Sequence, residues 1–156
     1  MRVAVAGTFG PLHDGHRALL RAALERGDEG VVVGITSDAF AAASRRDDPR
    51  PIPPYEEREH RVRAEIDALD EWNRDVEVRT VTDEYGFADD DPSLDALVVS
   101  PETDDEVAEL DRRRAERGMD PLRPIVVPDV LAADGERISS TRIARGEIDE
   151  HGNLLE

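Results

Sequence analysis

His13 and His16 stand three residues apart with Gly15 between them, directly after the turn-prone run Gly7-Thr8-Phe9-Gly10-Pro11. The apolar residues before Gly7 read as a buried strand and those after Asp14 as a helix, so the pair sits where a strand hands over to a helix. Gly7 and Gly10 let the backbone turn sharply and approach a ligand closely. The free N–H groups of a first helical turn, helped by the helix dipole, favour an anion there. His16 falls in that first turn, where its imidazole can donate to a phosphate oxygen, and Thr8 offers a hydroxyl beside it. Neither GxxxxGK[ST] nor GxGxxG is present. A metal pair is the competing reading, but no third ligand stands nearby in the sequence.

A second group of polar residues lies near the other end of the chain, in Ile138-Ser139-Ser140-Thr141-Arg142-Ile143. Ser139 is a natural helix N-cap. Ser140 and Thr141 add hydroxyls at the same helix end, and Arg142 adds a planar fork suited to phosphate oxygens. Taken alone, the segment is an ordinary Ser/Thr cap followed by a surface arginine. Arg112-Arg113-Arg114 reads as a solvated helix face, and Asp89-Asp90-Asp91 as an acidic surface loop rather than a metal cage. Trp72 reads as a packing anchor at a helix end, and His60 and His151 have no partners that suggest chemistry.

The elements that must position these groups alternate along the chain. Strands are expected at 1–6, 30–35, 76–81, 96–99 and 124–127, and helices at 14–25, 37–43, 55–72, 104–117 and 139–145. Charged, proline-rich 45–54 and acidic 83–91 are loops. This alternation predicts an α/β, Rossmann-like, doubly wound five-stranded parallel sheet with helices on both faces. Ligands then bind beyond the carboxyl ends of the strands, where strand order reverses. The whole of 1–156 is expected to form a single domain, with 146–156 as a loose tail.

With 156 residues, 38% of them hydrophobic, the chain suits one compact domain. No apolar run approaches the roughly 18 residues needed to span a bilayer, and no basic start precedes an apolar stretch, so a cytoplasmic protein without membrane attachment is expected. Absence of cysteine excludes disulfides and thiolate metal sites. Acidic residues number 37 against 20 basic ones, for a net charge of −17, and every basic residue is arginine. Such a surface repels nucleic acid. Because the acid is spread along the chain, it reads as adaptation to a salt-rich cytoplasm, where ions screen self-repulsion, rather than as an acidic interaction surface. The exposed faces carry no clear apolar patch that would mark an oligomeric state.

The run Gly7 to His16 resembles the HxGH signature of the nucleotidyltransferase superfamily that includes cytidylyltransferases and adenylyltransferases. Ile138 to Ile143 resembles its second signature, an ISSTxxR-like turn that holds the β- and γ-phosphates. The likeness runs from Val3 to about Ile148 and is greatest to phosphopantetheine adenylyltransferases of the archaeal and eukaryotic type. Val98-Val99-Ser100-Pro101-Glu102-Thr103 resembles the archaeal pattern that lies against the adenosine, and Tyr55-Glu56-Glu57-Arg58 the start of a helix whose arginine supports the site or caps charge. The family places a lysine in the loop after the second strand. Here Arg45, and after it Arg46, is the candidate. Gly10 departs from the family's aspartate.

The resemblance implies transfer of AMP from ATP to 4′-phosphopantetheine, giving dephospho-coenzyme A and pyrophosphate, with Mg²⁺ arriving on ATP. It implies ATP-binding residues Gly7, Thr8, Phe9, His13, His16, Ser100, Glu102, Ser139, Ser140, Thr141 and Arg142. His16, Thr8 and Arg45 would be catalytic, and Thr8, Arg45 and Arg46 would hold the acceptor. A halophilic archaeon is the expected source. Other acceptors within the superfamily are glycerol 3-phosphate with CTP, and flavin or nicotinamide mononucleotide with ATP. A catalytically silent nucleotide-binding regulator is the alternative of a different class.

Overall fold

Val3–Gly7 (β1) and Val31–Thr36 (β2) are short, apolar runs in which Val3, Ala4 and Val5 of β1 and the first five residues of β2 are buried, as strands covered on both faces require. In the computed structural model, which describes residues 1–45 and 50–155 and leaves out the side chains of Asp104 and Asp105, they pair in parallel, Val3 with Val31 through Gly7 with Ile35. Val76–Val81 (β3) joins the outer side of β2, while Ala96–Val99 (β4) and Arg123–Val126 (β5) continue from β1. The order is β3-β2-β1-β4-β5, all parallel, so strand order reverses between β1 and β4. This is the expected doubly wound sheet.

Asp14–Arg26 (α1) and Tyr55–Leu69 (α3) cover one face, where Leu20, Leu24, Val62 and Ile66 pack on Val3, Val5, Val33 and Ile35. The other face, with Ala4 and Val32, receives Leu110 of Asp104–Glu116 (α4) together with Ala88 and Leu94. Gly34 permits that layer to close: a Cβ there would lie 2.7 Å from Val81 Cγ2 and 2.9 Å from Phe87 Cε1. Asp38–Ala43 (α2) follows β2, capped by Ser37, and Ser140–Ala144 (α5) is capped by Ser139 as expected. No helix among the described residues is long and apolar enough to cross a membrane.

Four expectations need correction. Helix α3 stops at Leu69, short of Trp72, because the Asp70 carboxylate accepts from the Trp72 and Arg74 amides and turns the chain. Trp72 is still an anchor, flanked by Arg21 and Arg74. Arg114 is not on a solvated face. It is 1% exposed and donates to the carbonyls of Ala88, Asp91, Leu94 and Asp120, a set of acceptors that only a buried, planar fork can satisfy. Asp89 and Asp91 are drawn inward too, paired with Arg113 and Arg79, while Arg112 alone of the triplet stays on the surface with Glu109 and Glu116. Finally, the segment after Gly146 is not loose. Ile148 is fully buried with Ala132 and Ile138, and bridges to Leu154.

Candidate active site

The strand-to-helix turn after β1 is built from below by Arg58. This side chain is inaccessible, and its Nη1 donates to Thr8 O (2.9 Å) and to Thr36 Oγ1 (3.3 Å). Its Nε donates to Pro53 O at 2.8 Å and its Nη2 to Asp38 Oδ1 at 2.9 Å. Phe9 takes a φ of 54°, a strained value for a bulky residue, which sends its ring into the core at 1% exposure while the backbone stays at the turn. At Gly10 a Cβ would sit 2.7 Å from Arg58 Cδ and 3.1 Å from Pro53 Cδ, so the absence of a side chain fits the seat that Arg58 occupies.

His13 is the N-cap of α1, and its Nδ1 accepts from the amides of Gly15 (3.0 Å) and His16 (3.4 Å). In return His16 Nδ1 accepts from the His13 amide at 3.3 Å. The rings stack with centroids 3.8 Å apart, and Phe9 lies 5.1 Å from His16. Two amides expected to face an anion are therefore taken by an imidazole. The same arrangement fixes both tautomers: with Nδ1 accepting, each ring carries its proton on Nε2 and offers one neutral donor. Burial, reinforced by Arg17, lowers the His13 pKa to about 4. Burial, then His13, Arg17, Arg50 and Arg45, hold His16 well below 6.5.

A cavity of about 240 Å³ opens above these rings, at the carboxyl ends of β1, β4 and β5. His13, His16 and Arg45 line one side, Ser139, Ser140 and Thr141 another, and Ser100 closes the end of β4. Ser140 Oγ donates to Pro11 O at 2.8 Å, tying the second polar turn to the first across 129 residues. Val127 and Leu19 give one stretch of wall an apolar character. At its rim Asp129 is pushed above the usual carboxyl range by a hydrogen bond shared with Glu102, which is held below its own.

Several expected residues lie elsewhere. Gly7, Thr8, Phe9, Glu102 and Arg142 are not among the lining residues. The Thr8 hydroxyl accepts from Thr36 Oγ1 at 3.0 Å. Arg142 is drawn away by carboxylates: Nη2 meets Asp134 at 2.5 Å and Nε meets Glu147 at 3.3 Å, while Nη1 donates to Arg137 O. Arg46 falls outside the described residues. Two lining arginines were missed by sequence reading, Arg137 before Ile138 and Arg50, whose Nη1 donates to Gly10 O at 2.9 Å. Arg137 has one sequence signal, a basic residue directly before Ile138, and Arg50 has its place in the same basic loop as Arg45. With Arg45 they make a cationic cavity in a molecule of net charge −17. His151, assigned no partner from sequence, meets Asp14 at 3.1 Å.

On the α4 face of the sheet a second cavity of about 140 Å³ lies at the ends of β1 and β4, lined by Ala6, Leu97, Val99, Val107, Leu110 and Tyr85. Among the described residues no group of three or more His, Asp or Glu is placed to hold a metal ion.

Comparison with known proteins places these features in a group. The sequence profile described as cytidylyltransferase-like matches residues 4–146. A phosphopantetheine adenylyltransferase of Methanopyrus kandleri is 44% identical over 149 residues, 96% of this chain and 91% of the relative. That of Archaeoglobus fulgidus is 36% identical over 155 residues, 99% of this chain and 100% of the relative. Among solved structures, a protein of unknown function from Archaeoglobus fulgidus superposes with a TM-score of 0.69 at 31% identity, covering 81% of this chain and 89% of that one.

Proposed function

We propose that this chain, which belongs to the cytidylyltransferase-like family and within it to the phosphopantetheine adenylyltransferases, transfers AMP from MgATP to 4′-phosphopantetheine, forming dephospho-coenzyme A and pyrophosphate. The observation that carries the reading is the convergence of two neutral imidazole donors, three arginines and a capped Ser/Thr turn on one cavity at the switch point of the sheet. An acceptor phosphate oxygen attacks the α-phosphorus, and the bond to the bridging oxygen of the β-phosphate breaks. The nucleophile is already an anion, so the protein supplies alignment and charge stabilisation rather than a base.

In this reading His16 donates from Nε2 to the α-phosphate. Arg45 and Arg50 bring the two reacting phosphates together, doing what a lysine does in the family. Ser139, Ser140 and Thr141, with Arg137 in the place first given to Arg142, hold the leaving pyrophosphate. Thr8 contributes through its backbone and its contact with Thr36 unless a substrate draws its hydroxyl over. Mg²⁺ enters on ATP, held by phosphate oxygens and water. The apolar cavity beside β4 suits the uncharged arm of the acceptor. The acidic surface suits a salt-rich cytoplasm of a halophile and disfavours nucleic acid as a partner.

The test is pyrophosphate release at high salt with MgATP and 4′-phosphopantetheine, beside flavin and nicotinamide mononucleotides, and CTP with glycerol 3-phosphate. Release with phosphopantetheine far above the others is expected, and release with another acceptor alone would reject the substrate. His16→Ala should bind ATP yet lose about 10²-fold in kcat.

A further inference from the structure

A set of ion pairs converges on the start of α1 that the phosphate chemistry does not use. Arg17, the residue after His16, donates from Nη1 to Asp14 Oδ1 (2.8 Å), from Nε to Glu65 Oε1 on α3 (2.9 Å) and from Nη2 to Glu150 Oε1 (3.1 Å). The Asp14 amide donates to Glu150 O at 3.0 Å, and the Asp14 carboxylate meets His151 Nδ1 at 3.1 Å. The segment that carries Glu150 and His151 is also fixed to the second polar turn. Ile148 packs on Ile138, and Gly152 fits so closely that a Cβ would lie 2.8 Å from Ile138 Cδ1. Residues 148–152 therefore touch the first turn of α1 on one side and the residue before Ser139 on the other.

We propose that Arg17 is a positioning residue, through which the C-terminal segment, by way of Glu150, sets the spacing between the two phosphate-binding turns during nucleotidyl transfer. This rests on the transferase reading above. Catalysis by alignment is sensitive to misplacement on the scale of 1 Å, where a loss of up to about 10²-fold is known for displacements remote from the chemistry. Glu150 is half exposed, so its pairing contributes little to stability and its effect is on geometry. Arg17 also bears on the imidazoles by charge. The groups facing them are Asp14 and Arg17 on α1, Arg45 and Arg50 from the loop beyond α2, Arg137 before α5 and, through Arg17 and Asp14, Glu65, Glu150 and His151. Protonating Nδ1 of either histidine breaks its hydrogen bond with a backbone amide, so activity has an acid limb. Removing a nearby cation favours protonation and moves that limb to higher pH.

The experiment measures kcat and KM for ATP between pH 4 and 8, with thermal unfolding alongside, for the whole protein and for Arg17→Met, Arg17→Lys and Glu150→Gln. Arg17→Met is expected to lower kcat about ten-fold with KM changed less than about three-fold, and to move the acid limb upward. Arg17→Lys should return the limb towards wild type without restoring kcat, because an ammonium is not a fork that spans three carboxylates. Glu150→Gln should lower kcat with ATP affinity intact. Variants that keep wild-type kcat and an unmoved limb, or that lose activity only at temperatures where they unfold, would overturn the proposal alone. A wild type that releases no pyrophosphate with any acceptor overturns the transferase reading and this proposal with it.

Discussion

Replacing His13 by asparagine separates the two jobs that its ring performs. Asparagine is among the best N-caps, so the His13→Asn variant keeps an acceptor for the Gly15 and His16 amides while losing the titratable group. In the folded wild type His13 is 6% exposed with a pKa of about 4, against 6.5 for a solvated histidine. Between these values the unfolded chain binds a proton that the native one refuses. The folded pKa is depressed, so the stability is present above pH 6.5 and is lost as pH falls towards 4. At about 1.4 kcal/mol per pH unit the loss is about 3 kcal/mol. Urea unfolding at fixed high salt, at pH 7, 6, 5 and 4, measures it in both proteins. The carboxylates are common to both and cancel in the difference. The variant should lose about 3 kcal/mol less than wild type over this range, most of it between pH 6 and 4. Parallel curves, within about 0.5 kcal/mol, would refute a buried neutral His13 and the Nε2–H donor assigned to it.

Arg114→Met should cost about 3 kcal/mol or more in thermal or urea unfolding, since four carbonyls lose their donor, whereas Arg112→Met should stay within about 1 kcal/mol. Arg137→Gln should lower kcat/KM for ATP about ten-fold, while Arg142→Gln should lower it less and be felt more in stability; the reverse order would return the phosphate contact to Arg142. Gly10→Ala should destabilise by about 1–3 kcal/mol, as the pinned Arg58 stem must move to admit a methyl group.

Much of this was legible in the residues themselves. The strands show as short apolar runs, Gly27 and Ser139 mark helix ends, and the two polar turns announce themselves by His, Gly and Ser at the right places. What stayed hidden depends on which charge finds which. Arg142 and Arg137 have equal claims to a phosphate by type. Asp134 and Glu147, eight residues before and five after Arg142, decide between them, and only folding brings both to one guanidinium. Arg114 lies in a charged triplet whose pattern is that of a wet surface, and its burial comes from the carbonyls of a loop some twenty residues away. The tail carries Ile148 and, six and seven residues on, Leu154 and Leu155, too few and too widely spaced for a periodic signal, yet Ile148 closes a small core with Ala132 and Ile138. By type His13 suggests a ligand contact, whereas its role as helix cap depends on where the Gly15 and His16 amides point, which only the folded turn sets.

Arg58 has a bearing on how the molecule breathes. One inaccessible guanidinium joins the turn after β1, the end of β2, the start of α2 and the approach to α3. It cannot release one of these partners to water without weakening its hold on the rest. The amides around the turn should therefore exchange with deuterium together, at a single slow rate, instead of fraying one loop at a time. Substrate would then enter a floor that is already set, and whatever motion accompanies turnover belongs to the opposite wall.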